Sequence, residues 1–296
     1  MRNYIIVQMQ GGLGNQMFIY SYYLSLKEQR NNNTVFIRPI NPAKHERYGS
    51  ELETIFNINL PSSKPLFERL LLNRFTLNRL FNYVFEDVNT LILKPKPSKY
   101  LLSYYIGYWQ SYNYFSKLEA RIRSVFSFPV KFRTLYVIEM EKEICKYESV
   151  SIHIRGGDYI TNNDLYGNIA TKAYYKSAIQ YIKQKIKVSS KPIKFFVFSD
   201  DKEYSSNLLE DAGLSINEYL YIDGNNGKES FWDMYLMSLT DHIIIANSTF
   251  SWWGAFLGET DSKIIVCPSK VLNKDDSPFF YKDNWTKINN KGEIVK

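Results

Sequence analysis

The chain has 296 residues, 45% hydrophobic and 23% charged, the balance of a soluble globular protein with material for two domains of ordinary size. Its net charge of +7 favours anionic ligands in general. The excess is spread along the chain rather than gathered into a block, which argues against a nucleic-acid-binding arm, and no segment has the composition of a disordered tail.

Tyr4 to Met9 is a short β-rich run. Its apolar part, Ile5-Ile6-Val7, is too short for the hydrophobic region of a signal peptide. No apolar stretch of about eighteen residues occurs either, so a cytoplasmic location is expected. Gln10 to Asn15 ends the strand, a helical pattern runs from Gln16 to about Arg30, and Val35 to Arg38 reads as the next strand. This β-loop-α-β start predicts an α/β fold.

Pro65 to about Tyr83 reads as a helix, with Leu66, Phe67, Leu70, Leu77, Leu80 and Phe81 on one face. Its arginines, Arg69, Arg74 and Arg79, fall around the helix rather than along one polar face, so solvated arginines on a core-packed helix are the better reading. Peripheral contact with the inner face of a membrane is the alternative. Lys94 to Lys99 is an extended connector, and Lys131 to Tyr147 is charged and helical.

A buried strand, Ser149 to Arg155, begins a second β/α series, continued by strands at Ile193–Ser199, His242–Ala246 and Ile264–Cys267, the last strand expected. The domain boundary is placed near residue 145. Cys145 and Cys267 both sit in apolar runs and read as a reduced, buried pair, with no disulfide framework. The Asn-x-Ser/Thr matches at Asn32, Asn247 and Asn284 are treated as chance.

Three segments combine the residue types that chemistry needs. Gly11-Gly12-Leu13-Gly14-Asn15-Gln16 lies between a strand and a helix. Glycines there let a ligand approach the backbone, the helix start favours an anion, and two amides supply donors. It fails as a dinucleotide fingerprint because Met17 stands where the third glycine should be. In Ser151-Ile152-His153-Ile154-Arg155-Gly156-Gly157-Asp158 a strand delivers His153 and Arg155 on one face to its carboxyl edge. Arginine can grip a phosphate with a bidentate fork. In the third segment a helix carries Asp233 near its start, an apolar strand follows, and Asn247-Ser248-Thr249-Phe250-Ser251 opens the next helix. Three hydroxyls and an amide at a helix start suggest an anion cradle, where capping alone would need one. Trp252 and Trp253 read as core rather than sugar platform.

No Asp-x-Asp occurs, and His45, His153 and His242 lack metal-ligand spacing. Neither a Gly-x-Ser-x-Gly elbow nor a phosphate-binding P-loop is present.

Together these segments resemble the α-1,2-fucosyltransferases of glycosyltransferase family 11. The resemblance rests on Ile6 to Phe18, Gly107-Tyr108-Trp109-Gln110-Ser111, His153 to Tyr159, Phe198-Ser199-Asp200-Asp201 and Asn247 to Gly254. It implies a GT-B fold, two Rossmann-like domains facing across a cleft: 1–145, mainly the acceptor side, and 146–296, which binds GDP-fucose. It implies inversion at the anomeric carbon, no metal and no cofactor. A galactose-terminated glycan is the acceptor and nucleic acid is not a partner.

The resemblance places His153 and Arg155 on the nucleotide, with the Arg on the diphosphate, and Asp233 on guanine. Ser248, Thr249 and Phe250 match residues lining the phosphates and fucose, and Asn247 and Asp200 belong to the same donor side. Gly12, Leu13 and Asn15 reach the donor from the N-terminal domain. Asp158 is the nearest candidate for a general base, and orienting Arg155 is an equally good role for it. The family usually reads His-x-Arg-Arg-Gly-Asp, and Gly156 stands here in place of the second Arg. Competing readings are a GDP-sugar transferase of different donor or linkage, a non-catalytic carbohydrate-binding protein, and a Rossmann oxidoreductase.

Overall fold

The computed structural model describes residues 4–29, 35–39, 51–60, 81–94, 98–156, 162–186, 190–274 and 276–295. The chain divides into two compact units, Met1–Pro129 and Val130–Lys296.

Among the described residues the first unit holds four parallel strands, β1 (Tyr4–Met9), β2 (Val35–Pro39), β3 (Phe81–Phe85) and β4 (Leu102–Ile106), in the order β2-β1-β4-β3. Ile5, Ile6 and Val7 are fully buried, as expected of a parallel strand covered on both faces. A helix, Leu13–Gln29, follows β1. It starts at Leu13 rather than Gln16, because the Gln16 amide already donates to the Gly12 carbonyl at 3.0 Å. Nearly every residue from Leu13 to Leu26 is buried, so the helix has no polar stripe to mark its start in the sequence.

The expected helix at 65–83 is corrected at its end: Phe81 to Tyr83 belong to β3, which pairs with β4. The alternating Phe81, Tyr83 and Phe85 fit a pleated strand, and pairing decides what a short aromatic run leaves open. The rest of that segment, including its three arginines, lies outside the described residues, as does the middle of the Lys94–Lys99 connector. Among the described residues no helix is long and apolar enough to cross a membrane.

The second unit has seven strands: β5 (Glu148–Ile154), β6 (Ile193–Ser199), β7 (Tyr219–Tyr221), β8 (His242–Ile244), β9 (Ile265–Pro268), β10 (Thr286–Ile288) and β11 (Ile294–Val295). Their order is β11-β10-β9-β8-β5-β6-β7, all parallel except the β10–β11 pair. Val150, Ile152, Phe195, Val197 and Ile244 form the sheet's core with Tyr174, Tyr175, Ile179 and Ile182 of the helix Lys172–Lys185. On the helix Thr249–Leu257, Trp252 and Trp253 are fully buried, and the Trp252 Nε1 donates to the Phe280 carbonyl at 2.9 Å. They are core, as the sequence suggests.

The unit boundary falls at 129/130 rather than near 145. The helix Leu135–Ile144, capped by the Thr134 hydroxyl, packs with the second unit. Its Glu141 accepts from the Tyr235 hydroxyl at 2.6 Å, and the Tyr136 ring lies against Gly224. A charged connecting segment thus belongs to the fold that its partners occupy. Of the two cysteines Cys267 is buried and Cys145 is exposed, which corrects the expected buried pair.

Candidate functional site

In the second unit the chain leaves β5 toward β6 and β7, then returns to place β8 on the other side of β5. Open α/β sheets bind ligands at such a switch point, outside the carboxyl ends of the strands. The motif residues after β5 and β8 therefore meet at that edge.

Arg155 follows β5 and is one-quarter exposed; its Nη1 lies 2.9 Å from Asp200 Oδ2, at the end of β6. The other oxygen of Asp200 accepts from the Gly156 amide at 2.8 Å. One carboxylate thus fixes both the guanidinium and the loop behind it. Asp200 was expected on the donor side; its place in the structure is as the orienting partner of Arg155, the role sequence reasoning had offered to Asp158. Asp158 itself lies outside the described residues. Asp201 caps the helix Lys202–Asp211 by accepting from the Tyr204 amide at 3.0 Å.

A Cβ built on Gly156 would lie 2.6 Å from the Asp201 Cβ. That crowding leaves no room for a side chain at Gly156 unless Asp201 or the backbone shifts. Gly156→Ala is expected to push the loop off the helix start and to cost about 1–3 kcal/mol of stability, as overpacking does. Thermal denaturation measures it, and a melting temperature equal to that of the unmodified protein would contradict the crowding.

His153 is 5% exposed, and its carbonyl accepts from the Tyr175 hydroxyl at 2.9 Å. Burial, helped by the charge of Arg155, pushes its pKa down to about 3, so the ring is neutral near pH 7. Its Nδ1 is buried without a hydrogen-bond partner among the described residues. The ring lies 6.0 Å from that of Phe250, which ties the β5 edge to the β8 edge.

The expected cradle after β8 divides into separate tasks. Asn247 is 3% exposed, and its amide nitrogen donates to the carbonyls of Tyr166 at 3.3 Å and Val271 at 3.0 Å. It ties two loops together, so its amide nitrogen is engaged within the fold. Ser248 caps the following helix by accepting from the Phe250 amide at 3.3 Å. Ser251 is fully buried, and its hydroxyl turns back toward the Ser248 carbonyl at 3.5 Å. Thr249 and the first-turn amides other than that of Phe250 are what this helix start leaves for an anion.

Asp233 sits in the first turn of the helix Phe231–Leu239, part-buried. Asn225 Nδ2 donates to its Oδ1 at 2.8 Å. Burial raises the Asp233 pKa to about 7, against the Asn225 hydrogen bond, which lowers it, and with help from the negative charge of Asp223. Sequence reasoning missed Asn225 and the Asp200 clamp. Asp200 stood in a recognised motif; Asn225 lies in a glycine-rich turn with no local signal.

The first unit repeats the switch-point logic, since β1 lies between β2 and β4. Gly11 has φ +80°, and a Cβ there would lie 2.6 Å from Asn15 Nδ2, so the Asn15 amide covers bare backbone. Asn15 Oδ1 accepts from Gln110 Nε2 at 2.8 Å. Gly12 is exposed with open space where its side chain would be, while Leu13 is buried, so Leu13 offers a ligand backbone and not side chain. Gln16 was expected as a donor to a ligand. It is 1% exposed, donates to the Gly11 carbonyl at 2.9 Å and accepts from the Glu51 amide at 3.1 Å. Glu86, which the sequence did not single out, accepts from the amides of Tyr108 at 2.6 Å and Trp109 at 2.8 Å. It thereby holds a turn in which Trp109 has φ 54°, in the left-handed region. That turn presents Gln110 to Asn15.

A family model described as glycosyl transferase family 11 matches residues 2–290. The chain is 30% identical to the alpha-1,2-colitosyltransferase of Escherichia coli, covering 96% of this chain and 98% of that protein. It is also 30% identical to the O-antigen biosynthesis glycosyltransferase WbnK of Escherichia coli, over 95% of this chain and 99% of that one. The Bradyrhizobium fucosyltransferase NodZ, in its crystal structure with GDP, superposes with a TM-score of 0.51 at 13% identity, over 87% of this chain and 93% of that chain. At that identity the likeness bears on fold alone, and the fold is of the GT-B type with two Rossmann-like units.

Proposed function

This chain belongs to glycosyl transferase family 11, and we propose that it moves L-fucose from GDP-β-L-fucose to the 2-hydroxyl of a terminal galactose on a glycan, with inversion. The observation that carries this reading is the Arg155–Asp200–Gly156 clamp beside a helix start at the β5/β8 switch point. It is a fixed cation and a set of amides placed for a diphosphate, which a protein that only binds carbohydrate does not need. Asp233 reads the guanine N1–H and N2–H, and neutral His153 offers its buried nitrogen to the nucleotide.

The chemistry proceeds by departure of GDP as the C1–O bond breaks. Negative charge grows on the β-phosphate, and Arg155 with the remaining first-turn amides of the Thr249–Leu257 helix stabilises it without reorganising. Fucose passes through an oxocarbenium-like state while the galactose hydroxyl attacks from the opposite face and gives up its proton. Since Asp200 already orients Arg155, we assign removal of that proton to Asp158. The N-terminal unit is assigned the acceptor. In this proposal the leaving group is served by fixed donors and the transfer uses no metal.

A second reading follows from the colitosyltransferase relative. Colitose is fucose lacking one ring hydroxyl, so its nucleotide sugar would use the same diphosphate and base contacts. Product analysis by mass spectrometry decides between them. With GDP-fucose and a β-galactoside in EDTA, a fucosylated product is expected. Product formed only from the deoxy donor would favour the second reading, and activity that needs added manganese would refute the metal-free mechanism.

A further inference from the structure

The purine end of the site rests on a small polar assembly that the diphosphate argument leaves unexplained. Asn225 follows β7, is 7% exposed, and directs its amide nitrogen at Asp233 Oδ1, 2.8 Å away. The loop that carries it is propped from the helix Leu135–Ile144. A Cβ on Gly224 would lie 2.6 Å from three carbons of the Tyr136 ring, so only glycine lets that ring lie flat on the backbone. The Tyr136 hydroxyl accepts from the Asp223 amide at 3.1 Å. Tyr136, Gly224 and Asn225 therefore form a chain of contacts that ends on one carboxylate oxygen. A buried amide aimed at one oxygen of a carboxylate leaves the other for a ligand and fixes the plane of the group.

We propose that Asn225 is a positioning residue for base recognition: by holding Asp233 Oδ1 it presents the carboxylate, ionised and in plane, to the guanine edge. The inference rests on the reading that Asp233 receives guanine. A guanine edge offers two adjacent N–H donors, so only the carboxylate form can accept both; a protonated Asp233 would set an O–H against them. The groups that face Asp233 act in opposite senses. Asp223 opposes its ionisation and the Asn225 N–H favours it, while Tyr136, a neutral phenol near pH 7, adds no charge. Removing the Asn225 donor therefore raises the pH at which Asp233 becomes an acceptor.

Calorimetry of GDP binding to the full chain, from about pH 5.5 to about pH 8.5, tests this. For the unmodified protein, affinity is expected to rise through about pH 7 and then level off. Asn225→Leu keeps the side-chain volume and loses the donor. It should move the midpoint upward by about one pH unit, weakening binding near pH 7 by up to about tenfold while most of the affinity returns at the alkaline end. Asn225→Ala serves if the leucine variant does not fold. Ionisation of GDP's own phosphate enters all profiles alike.

A folded Asn225 variant whose midpoint does not move overturns the inference, as does an affinity lost equally at every pH. Asp233→Asn is the separate arm and should abolish the rise through pH 7. If Asp233→Asn binds GDP with an unchanged profile, the guanine reading itself fails. If the profile responds to Asp233→Asn and not to Asn225→Leu, only the role of Asn225 is lost.

Discussion

Replacing Arg155 by alanine is expected to lower kcat by on the order of 10²-fold or more, the scale seen when a preorganised charge-stabilising donor is removed. Charge on the β-phosphate grows as the glycosidic bond breaks, so a guanidinium at that position binds the transition state better than the ground state. GDP affinity should consequently fall less steeply than turnover. Arg155→Lys keeps a charge but loses the planar fork, and with it the geometry that Asp200 sets from 2.9 Å, so it should rescue little. The residue after Arg155 is Gly156, so no neighbouring arginine in the motif can take over its charge. Steady-state kinetics with GDP-fucose and a β-galactoside acceptor measure both constants. A folded Arg155→Ala enzyme with near-normal kcat would mean that the leaving group is stabilised elsewhere.

Asp233→Ala should weaken GDP binding by roughly 1.5–3 kcal/mol, about 10- to 150-fold in Kd, when measured above neutral pH. The sign of its pH dependence follows from burial. A carboxyl whose pKa rises to about 7 in the folded protein binds a proton more tightly there than in the unfolded chain. Its contribution to the stability of the ligand-free protein is thus full at low pH and declines as the pH rises from about 4 to about 7. Asp233→Ala should flatten that part of the melting-temperature profile while reducing affinity for GDP. Unchanged GDP affinity in a folded variant would remove Asp233 from the site. This pairing, a group that costs stability and contributes binding, is the pattern expected of a residue kept for its ligand.

Much of this molecule is legible locally. The run Tyr4–Met9 followed by glycines, the alternation in Ser149–Arg155, and the strand-to-helix turn at Asn247–Ser251 mark β1, β5 and β8 from neighbouring residues alone. Backbone preference and periodicity act over a few positions, and here both agree with the fold. The short strands β4, β7, β10 and β11 escaped notice, and Ile264–Cys267 is not the last, since each of these becomes a strand only by pairing. Phe81–Tyr83 reads as the end of a helix for the same reason: its aromatic residues suit either period, and β4 decides.

The candidate site shows the same division more sharply. From the sequence, Asn247, Ser248, Thr249 and Ser251 are four equivalent polar groups at one helix start. The fold gives Asn247 to two loop carbonyls, Ser248 to the cap and Ser251 to the helix interior, leaving Thr249 and the remaining amides for an anion. Arg155 could be picked out by its type and position, but its partner could not, since two adjacent aspartates follow β6. The parallel pairing of β5 with β6 brings Asp200 to the guanidinium, while the turn of the backbone gives Asp201 to the next helix. By itself, then, the sequence determined the α/β series, the family and the motif residues that meet at one sheet edge, because those are written in short-range patterns. Tertiary structure alone decided which polar groups are consumed by folding and which remain for a ligand, because a hydrogen bond is assigned by distance in space, and Asn225 reaches Asp233 only once the chain has folded.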